Sequence, residues 1–375
     1  MDFALTEEQQ ATRDLAHQIL TDRETHEHLK EIEAGGEGFD RDTWAELAKA
    51  GLLGIALPEA VGGSGLGFVA LCQLLEEVGR TVAPVPVVPA VVLGALPIVQ
   101  FGSDEQQQRW LPGVVSGDTV LTAALVELGA DPLHPTASAT REGSGFRLDG
   151  VKVCVPAGLS ASAVLVPASS TDGSVGIFVV DPKGNGVTIE RQDTTSGIPQ
   201  ARVELDGVVV SEGDTLRYGT SGGEGLEWII ERATAALCAV ATGVCEQALK
   251  MTAEYTKTRE QFDRPIATFQ AVGQRAADAY IDTEAIRLTA LQAAWRLEEG
   301  LSATAEVAVA KFWAADGGQR VVHAAQHLHG GIGVDRDYPL HRYFLLAKQL
   351  ELSLGGASRH LVALGGILAA EGATR

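Results

Sequence analysis

The sequence is short of basic residues: 29 Lys and Arg stand against 49 Asp and Glu, giving a net charge of -20. A surface of that sign repels nucleic acid and anionic membranes, so neither is expected as a general partner. A polyanionic ligand would need a local basic pocket. Aromatic residues are only 5% of the chain, so Ala, Leu and Val carry most of the apolar content, which favours packed helices.

Cysteines are few and scattered, at Cys72, Cys154, Cys238 and Cys245, with no CxxC pair. This spacing argues against a disulfide framework or a zinc site and favours a reducing compartment, the cytoplasm. The first ten residues, MDFALTEEQQ, carry acids where a signal peptide carries bases, so export is not expected.

An uninterrupted apolar run of membrane-spanning length is also lacking. The stretch 82–99 reaches the ~18 residues of a candidate span, but four prolines interrupt it. We interpret it as a turn-rich entry followed by a buried helix, and expect no membrane span.

What is present divides the 375 residues into three zones. Residues 1–118 show apolar residues at helical spacing, and Thr6 precedes Gln9 at the spacing of a capping box. Residues 119–222 contain short β-rich runs separated by Gly, Pro, Ser, Asp and Asn, which predicts a small antiparallel barrel or sandwich. Residues 223–375 are helical again, with long helices expected over 228–258 and 268–300.

The densest candidate site is TREQFDRPIATFQ, residues 258–270. Arg259 offers a permanent, planar cation suited to phosphate, and Phe262 offers a ring face. Gln270 adds donors and an acceptor at the start of the next helix. The alternative is an ordinary loop between two helices that carries a surface arginine.

A second cluster, HLHGGIGVDRDYPLHRY, covers residues 327–343. Gly330 and Gly331 allow a backbone to approach a ligand closely, although a helix C-cap and turn would use the same residues. His327 and His329 are two residues apart, with no carboxylate at a familiar metal-site spacing, so no metal site is expected.

Taken together, these motifs resemble the acyl-CoA dehydrogenase family of flavoproteins. The resemblance covers essentially the whole chain, and YTKTREQFDRPIATFQAVGQRAAD and HLHGGIGVDRDYPLHRYF are its most specific segments. It implies an N-terminal α-helical domain (1–118), a central antiparallel β-barrel or sandwich domain (119–222) and a C-terminal four-helix bundle (223–375) that builds dimers and tetramers. It also implies FAD sites at subunit interfaces.

The resemblance assigns cofactor contacts to particular residues. Arg259 would reach the FAD diphosphate of a neighbouring subunit, Phe262 would pack on the cofactor, and Gln270 would contact its diphosphate–adenosine half. The loop of His327, Gly330 and Gly331 would back the adenosine half, with His327 standing where the family usually has Gln.

The catalytic position departs from the family pattern. Family members remove the α-proton of an acyl-CoA with a Glu and pass the β-hydrogen to flavin as hydride. Here the matching position is Gly355, which has no side chain and cannot act as a base. An alternative family position falls at Ala233; Glu231 is nearby, but two residues on a helix are about 200° apart.

Two hydroxyls that the family directs at the flavin ring are also missing. The segments that would supply them read Val126, Glu127, Leu128 and Cys154, Val155, Pro156. Valine and proline side chains donate no hydrogen bond.

The combination resembles the Glu-less subunit of actinobacterial α2β2 acyl-CoA dehydrogenases that shorten steroid side chains. The first hypothesis is therefore a subunit that completes the FAD site of a Glu-bearing partner acting on an acyl-CoA substrate. The second is a self-sufficient enzyme using Glu231 or another acid. The third is a binding or scaffold protein on the same fold without FAD.

Overall fold

The computed structural model describes residues 5–217 and 220–373. The chain divides into two compact units, each assembled from separated stretches. Unit 1 comprises Met1–Glu31, Phe68–Ala83 and Thr234–Arg375, and unit 2 comprises Ile32–Gly67 and Pro84–Ala233. The predicted order of helical, β and helical zones along the chain is confirmed.

The N-terminal zone is helical. Its helices are α1 Glu7–Arg23, α2 His26–Gly35, α3 Arg41–Lys49, α4 Gly67–Thr81, α5 Leu96–Phe101 and α6 Asp104–Ser116. The predicted capping box is confirmed: the Thr6 side chain accepts from the Gln9 backbone, and the Gln9 side chain accepts from the Thr6 backbone. Ser103 and Gln106 form a second capping box at α6, so local side-chain chemistry sets both helix starts.

The proline-interrupted stretch folds as expected. A π-helical segment, Val88–Ala95, continues into α5, and its residues are almost all buried within unit 2. A Cβ added at Gly94 would lie 2.2 Å from Leu121 Cβ, so glycine there permits a close approach to the first β-strand.

The central zone forms one sheet around an apolar core that includes Phe146, Leu148, Phe178 and Val203. Its strands are β1 Leu121–Ala123, β2 Ser138–Glu142, β3 Gly145–Pro156, β4 Ala163–Ser169, β5 Val175–Val180, β6 Val187–Gln192, β7 Gln200–Val210 and β8 Thr215–Arg217. The order is β6-β7-β3-β2-β4-β5-β8, with β1 beside β4. The predicted antiparallel pairing holds for most neighbours, but β4 pairs in parallel with both β1 and β2, so the sheet is mixed.

The C-terminal zone is again helical. Its helices are α7 Thr220–Thr258, α8 Gln270–Glu298, α9 Thr304–Phe312, α10 Gly318–His329, α11 Leu340–Leu352 and α12 Ala357–Ala373. A π-helical turn, Trp313–Gly317, joins α9 to α10. Within unit 1, α8 packs on α9 and α10, α11 on α10, and α12 on α9. The two predicted long helices are therefore confirmed as α7 and α8.

Two helical stretches are long and apolar enough to cross a membrane, judged by length and composition alone. Most of the window within Gly222–Thr258 is buried in the protein, as in the core helix of a globular fold. The second, Leu340–Ala370, is interrupted between α11 and α12, where Leu354 and Gly355 take positive φ values of 55° and 101°.

Candidate functional site

The loop after α7 is a tight β-hairpin that carries the first candidate residues. Strand β9 Glu260–Gln261 pairs with β10 Arg264–Pro265, leaving Phe262 and Asp263 as a two-residue turn. Both turn residues have positive φ, 55° and 59°, the backbone of a type I′ turn that usually selects Asn-Gly. The Phe262 side chain is 87% exposed, so the hairpin presents an aromatic ring in a strained, solvent-facing position.

Arg259 and Gln270 flank this hairpin. The Ile266 amide donates to the Arg259 carbonyl at 2.8 Å, which closes the base of the loop. The Arg259 guanidinium is exposed, and no carboxylate in the described ranges 5–217 and 220–373 forms an ion pair with it. Gln270 is the exposed first residue of α8, whose N-cap Phe269 provides no side-chain hydrogen bond. A cation and uncapped helix N–H groups are therefore both exposed at the two ends of this loop, and each of them suits an anion.

The glycine loop lies at the end of α10. A 3₁₀ turn covers Gly330–Val334, and Gly330 has φ 67° and ψ -141°, a conformation that side chains disfavour. A Cβ added at Gly330 or Gly331 would meet nothing within 4 Å, so their backbone stands open. At Gly333 the same atom would lie 2.9 Å from the Gln326 carbonyl, so that glycine serves packing instead.

His327 joins the two clusters through a side-chain partner. Its Nδ1 accepts a hydrogen bond from Arg275 on α8. Because Arg275 lies in the second turn of α8, this contact ties the end of α10 to the helix that starts at Gln270. The cofactor role predicted for His327 stays a prediction, and only its Nε2 is left for a ligand.

His329, for which the sequence analysis expected no metal-binding role, is buried between two tyrosines. Its ring stacks on Tyr255 with centroids 4.4 Å apart. Its Nδ1 bonds the Ala325 carbonyl at 2.8 Å, and Nε2 bonds the Tyr338 hydroxyl at 3.2 Å. Burial lowers the pKa of His329, so the ring is a neutral packing element between hairpin and glycine loop.

Gly355 lies where α11 ends. A Cβ at this position would approach Arg359 Cδ to 2.5 Å and His360 Nε2 to 3.3 Å. The His360 ring donates to the Leu354 carbonyl at 3.1 Å. The ends of two α12 side chains thus lie beside residue 355; that of exposed Arg359 is flexible, and the positive φ is the firmer obstacle to a side chain there.

A buried lysine also fixes the end of α11. Lys311 Nζ donates to the carbonyls of Leu350 and Glu351 at 2.7 and 3.0 Å. Burial lowers its pKa to about 8. The cation satisfies helix carbonyls that lack intrahelical partners, so the Gly355 turn has a defined position.

Glu231, the alternative base, belongs to unit 2 and is half-buried on α7. It lies in the field of Arg232, whose guanidinium sits 3.7 Å from the centre of the Trp228 ring. Burial lowers the pKa of Arg232 to about 10, and Glu231 opposes this shift. Ala233 is buried. Glu231 therefore interacts electrostatically with Arg232, and its role as a base stays a prediction.

The two segments that lack the flavin-ring hydroxyls lie side by side in unit 2. Val126 and Val153 form a β-bridge, and the Val153 amide donates to the Val126 carbonyl at 2.9 Å. Between them Glu127 accepts from Lys152 Nζ at 2.5 Å and from the Thr136 amide at 2.7 Å. This buried pair was missed in the sequence because nothing in the local pattern links residues 25 positions apart.

The second of these segments is irregular. A bulge falls between Lys152 and Val155, and Cys154 is exposed with φ 53°. The Thr122 hydroxyl donates to the Pro156 carbonyl at 2.6 Å. The Val155 side chain is buried in the core, at 1% exposure. At 154–156 the strand therefore exposes the Cys154 thiol and has no side-chain hydroxyl to donate to a flavin.

Comparison with known proteins gives consistent matches. Residues 6–118 match the family model "Acyl-CoA dehydrogenase, N-terminal domain", and residues 223–362 match "Acyl-CoA dehydrogenase, C-terminal domain". The chain is 43% identical to Acyl-CoA dehydrogenase FadE27 of Mycobacterium tuberculosis, over 98% of this chain and 99% of that protein.

Two solved structures are similar over 98% of this chain and 99% of theirs. A chain of the ChsE4-ChsE5 complex from Mycobacterium tuberculosis shares 43% identity with a TM-score of 0.93. A chain from a variant of the Tcur3481-Tcur3483 steroid ACAD shares 47% identity with a TM-score of 0.92.

Proposed function

Since the chain belongs to the acyl-CoA dehydrogenase family of FAD-dependent oxidoreductases acting on CH–CH bonds, we propose that it is the subunit of a heteromeric member that lacks its own catalytic base. In this proposal it completes the FAD site of a Glu-bearing partner within an α2β2 heterotetramer. The substrate is an acyl-CoA, specifically a steroid side-chain CoA thioester.

The observation that carries the proposal is the environment of Gly355. A base must reach the proton on the substrate's α-carbon, at a heavy-atom distance of about 3 Å. Residue 355 has no side chain, its φ of 101° disfavours one, and Arg359 and His360 occupy the adjoining space. Glu351, one turn earlier, pairs instead with Lys348 at 2.5 Å.

The residues that would hold FAD are grouped in unit 1 and fit its anionic half. Arg259 offers an exposed guanidinium, α8 offers uncapped N–H groups at Gln270, and Gly330 and Gly331 leave open backbone. A diphosphate is favoured by such cations and N–H donors. Phe262 supplies a ring face for the cofactor, and FAD when bound supplies the hydride acceptor.

The segments 126–128 and 154–156, which would approach the flavin ring, lack the hydroxyl groups that would bind it. Val126 and Pro156 carry no hydroxyl, and Leu128 is 86% exposed without a polar group. The chain keeps the groups that would bind the FAD diphosphate but lacks those that would bind the flavin ring. This combination supports a subunit that binds part of the cofactor held mainly by another subunit.

The names of the similar solved structures support the partner and the substrate. One is a complex of two proteins, and the other is a two-component steroid ACAD. We further propose the three domains 1–118, 119–222 and 223–375, a cytoplasmic location without a membrane span, and no nucleic-acid partner.

Flavin stoichiometry tests the proposal. The chain purified alone should lack the visible flavin absorbance band and dehydrogenase activity. Co-expression with a Glu-bearing relative should restore both, with about one FAD per pair of unlike chains. A yellow, active homotetramer of this chain alone would contradict the proposal.

Single variants separate the competing readings. Arg259→Ala should lower the FAD content of the assembled pair, whereas an unchanged content would favour a scaffold without a cofactor contact. Glu231→Gln should leave turnover of the pair unchanged. Loss of turnover with flavin retained would instead identify Glu231 as a base.

A further inference from the structure

The glycine loop has no side chains of its own at Gly330 and Gly331, so its position must be set by its neighbours. On one side it is anchored by His329, which is buried against Tyr255 and Tyr338. On the other side the chain continues through an exposed turn, 335–338, before α11 begins. The contacts of that turn therefore help to set where the open backbone stands.

Those contacts come from α2, which is more than 300 positions away in sequence. Lys30 Nζ lies 2.6 Å from Asp337 Oδ1. His26 Nε2 lies 3.0 Å from the Asp337 carbonyl, and His26 Nδ1 lies 2.7 Å from Arg342 Nη1. All of these residues belong to unit 1.

The hydrogen-bond roles of His26 follow from its partners. A guanidinium has donors and no acceptor, so Nδ1 accepts from Arg342. The ring hydrogen is then on Nε2, which donates to the Asp337 carbonyl. One neutral imidazole thus bridges the exposed turn to the buried Arg342 at the start of α11.

The turn 335–338, held by α2, in turn contacts residues next to the glycine loop and the hairpin. The Asp337 amide donates to Asp335 Oδ1 at 2.9 Å, which stiffens the turn. Next to it the Tyr338 hydroxyl bonds His329, whose ring stacks on Tyr255. The Tyr255 carbonyl in turn accepts from the Arg259 amide at 2.8 Å. A continuous set of contacts therefore runs from α2, past the residues that flank the glycine loop, to the base of the hairpin.

We propose that helix α2 is a positioning element for the FAD diphosphate–adenosine site, with His26, Lys30 and Asp337 as positioning residues. This inference rests on the proposed function. The Lys30–Asp337 pair is exposed and individually weak, so the bridging His26 carries the larger share. None of the three residues is required to touch FAD.

The test uses the co-expressed heteromer, with the FAD dissociation constant and backbone hydrogen exchange of residues 330–334 as readouts. His26→Leu should weaken FAD binding by about tenfold and speed exchange, because both hydrogen bonds are lost. His26→Gln, whose amide can donate and accept, should stay within about threefold of the wild type. Equal effects of the two variants would overturn the bridging role.

A charge exchange tests the ion pair. Lys30→Asp and Asp337→Lys should each weaken FAD binding by about threefold, and the double variant should recover it. Lys49→Asp, which breaks the exposed Lys49–Glu46 pair in unit 2, is the matched control and should have no effect. Wild-type affinity in both single variants, or no recovery in the double variant, would overturn the ion-pair part.

Failure of the underlying function gives a different result. If Arg259→Ala leaves FAD binding unchanged, the cofactor site itself is wrongly assigned. If Arg259→Ala weakens binding while the α2 variants do not, only the positioning role is wrong. Faster exchange at 330–334 without any change in FAD affinity would overturn it as well.

Discussion

At the scale of single residues, the protein buries several charged groups and compensates them in different ways. Lys311 is stabilised by helix carbonyls, and the Glu127 carboxylate by Lys152 and backbone amides. Glu76 has less compensation: its nearest cation, Arg13, is 3.8 Å away, and Glu77 and Glu246 repel its charge. These differences predict different responses to pH and substitution.

Glu76 should make stability depend on pH. Burial raises its pKa to about 7 from the ordinary 4.5, so the folded protein retains a proton that the unfolded chain releases. The stabilisation is full below about pH 4.5 and is lost as the pH rises through about 7, amounting to on the order of 3 kcal/mol. Glu76→Gln should remove this dependence in denaturant titrations at pH 5 and pH 8.

The exposed Glu59→Gln variant is the control and should follow the wild-type pH profile. An unchanged pH profile in Glu76→Gln would show that Glu76 is ionised in the folded protein.

The buried pair in the sheet should be sensitive to loss of one partner. Burial opposes ionisation of Glu127, but hydrogen bonds from Lys152 and Thr136 outweigh it and lower the pKa of Glu127. Lys152→Met would leave this carboxylate without its cation, at a cost of about 3–5 kcal/mol in the free energy of unfolding. Adding Glu127→Gln should recover part of the loss, and urea titration of the three variants measures it.

The same comparison can contradict this account. If the double variant is no more stable than Lys152→Met, the loss comes from the missing lysine side chain and not from an uncompensated charge.

At the scale of elements, the hairpin after α7 combines an unfavourable turn sequence with an exposed ring. Its two turn residues both adopt the left-handed conformation although neither is glycine. That conformation costs roughly 1–2 kcal/mol for an ordinary residue and less for Asp. Strain of this kind is kept where a side chain must be presented in a set direction.

Asp263→Gly should therefore stabilise the protein by about 1 kcal/mol in chemical unfolding, since glycine adopts positive φ freely. FAD content of the assembled pair should not change. Asp193→Gly, in an exposed loop with ordinary backbone angles, is the control and should be neutral or destabilising. Equal destabilisation by both variants would show that the Asp263 turn is not strained.

Elements with strong local signals were predictable from the sequence. The capping box at Thr6, the long helices α7 and α8, and the buried helix in the proline-containing stretch all follow from side-chain chemistry within a few residues. The parallel pairing of β4 with β1 and β2 was not predictable, because it depends on strands far apart in the chain. The contacts of α2 with Asp337 were missed for the same reason.

The candidate site was predictable to a similar extent. Arg259, Phe262 and Gln270 were found because they are close in sequence, and the structure places them on one loop and the helix start beside it. The pairing of His327 with Arg275 and the burial of His329 required the tertiary fold. Nothing in the local pattern shows that exposed His327 is paired or that His329 is buried.

At the scale of the whole molecule, the compact units do not follow the chain in simple order. Unit 2 comprises Ile32–Gly67 and Pro84–Ala233, which includes the sheet. Unit 1 combines Met1–Glu31 and Phe68–Ala83 with the C-terminal stretch Thr234–Arg375. Within unit 2, strand β1 packs against the π-helical segment Val88–Ala95. The sheet therefore buries apolar surface against residues that precede it.

A fragment of residues 119–222 should consequently fail to unfold cooperatively, because β1 would expose the face that Val88–Ala95 covers. A fragment extended to start at residue 84 should show a sharper thermal transition by circular dichroism. A cooperative transition in the shorter fragment would show that the sheet is self-sufficient.

The backbone conformation at Gly355 has an evolutionary consequence under the proposed function. A single substitution to an acid at this position would meet an unfavourable backbone angle as well as the end of the Arg359 side chain. Arg359 is exposed and can shift, so the positive φ is the larger obstacle. If the chain works with a Glu-bearing partner as proposed, its dependence on that partner would thereby be entrenched, and each member of the pair would constrain how the other can change.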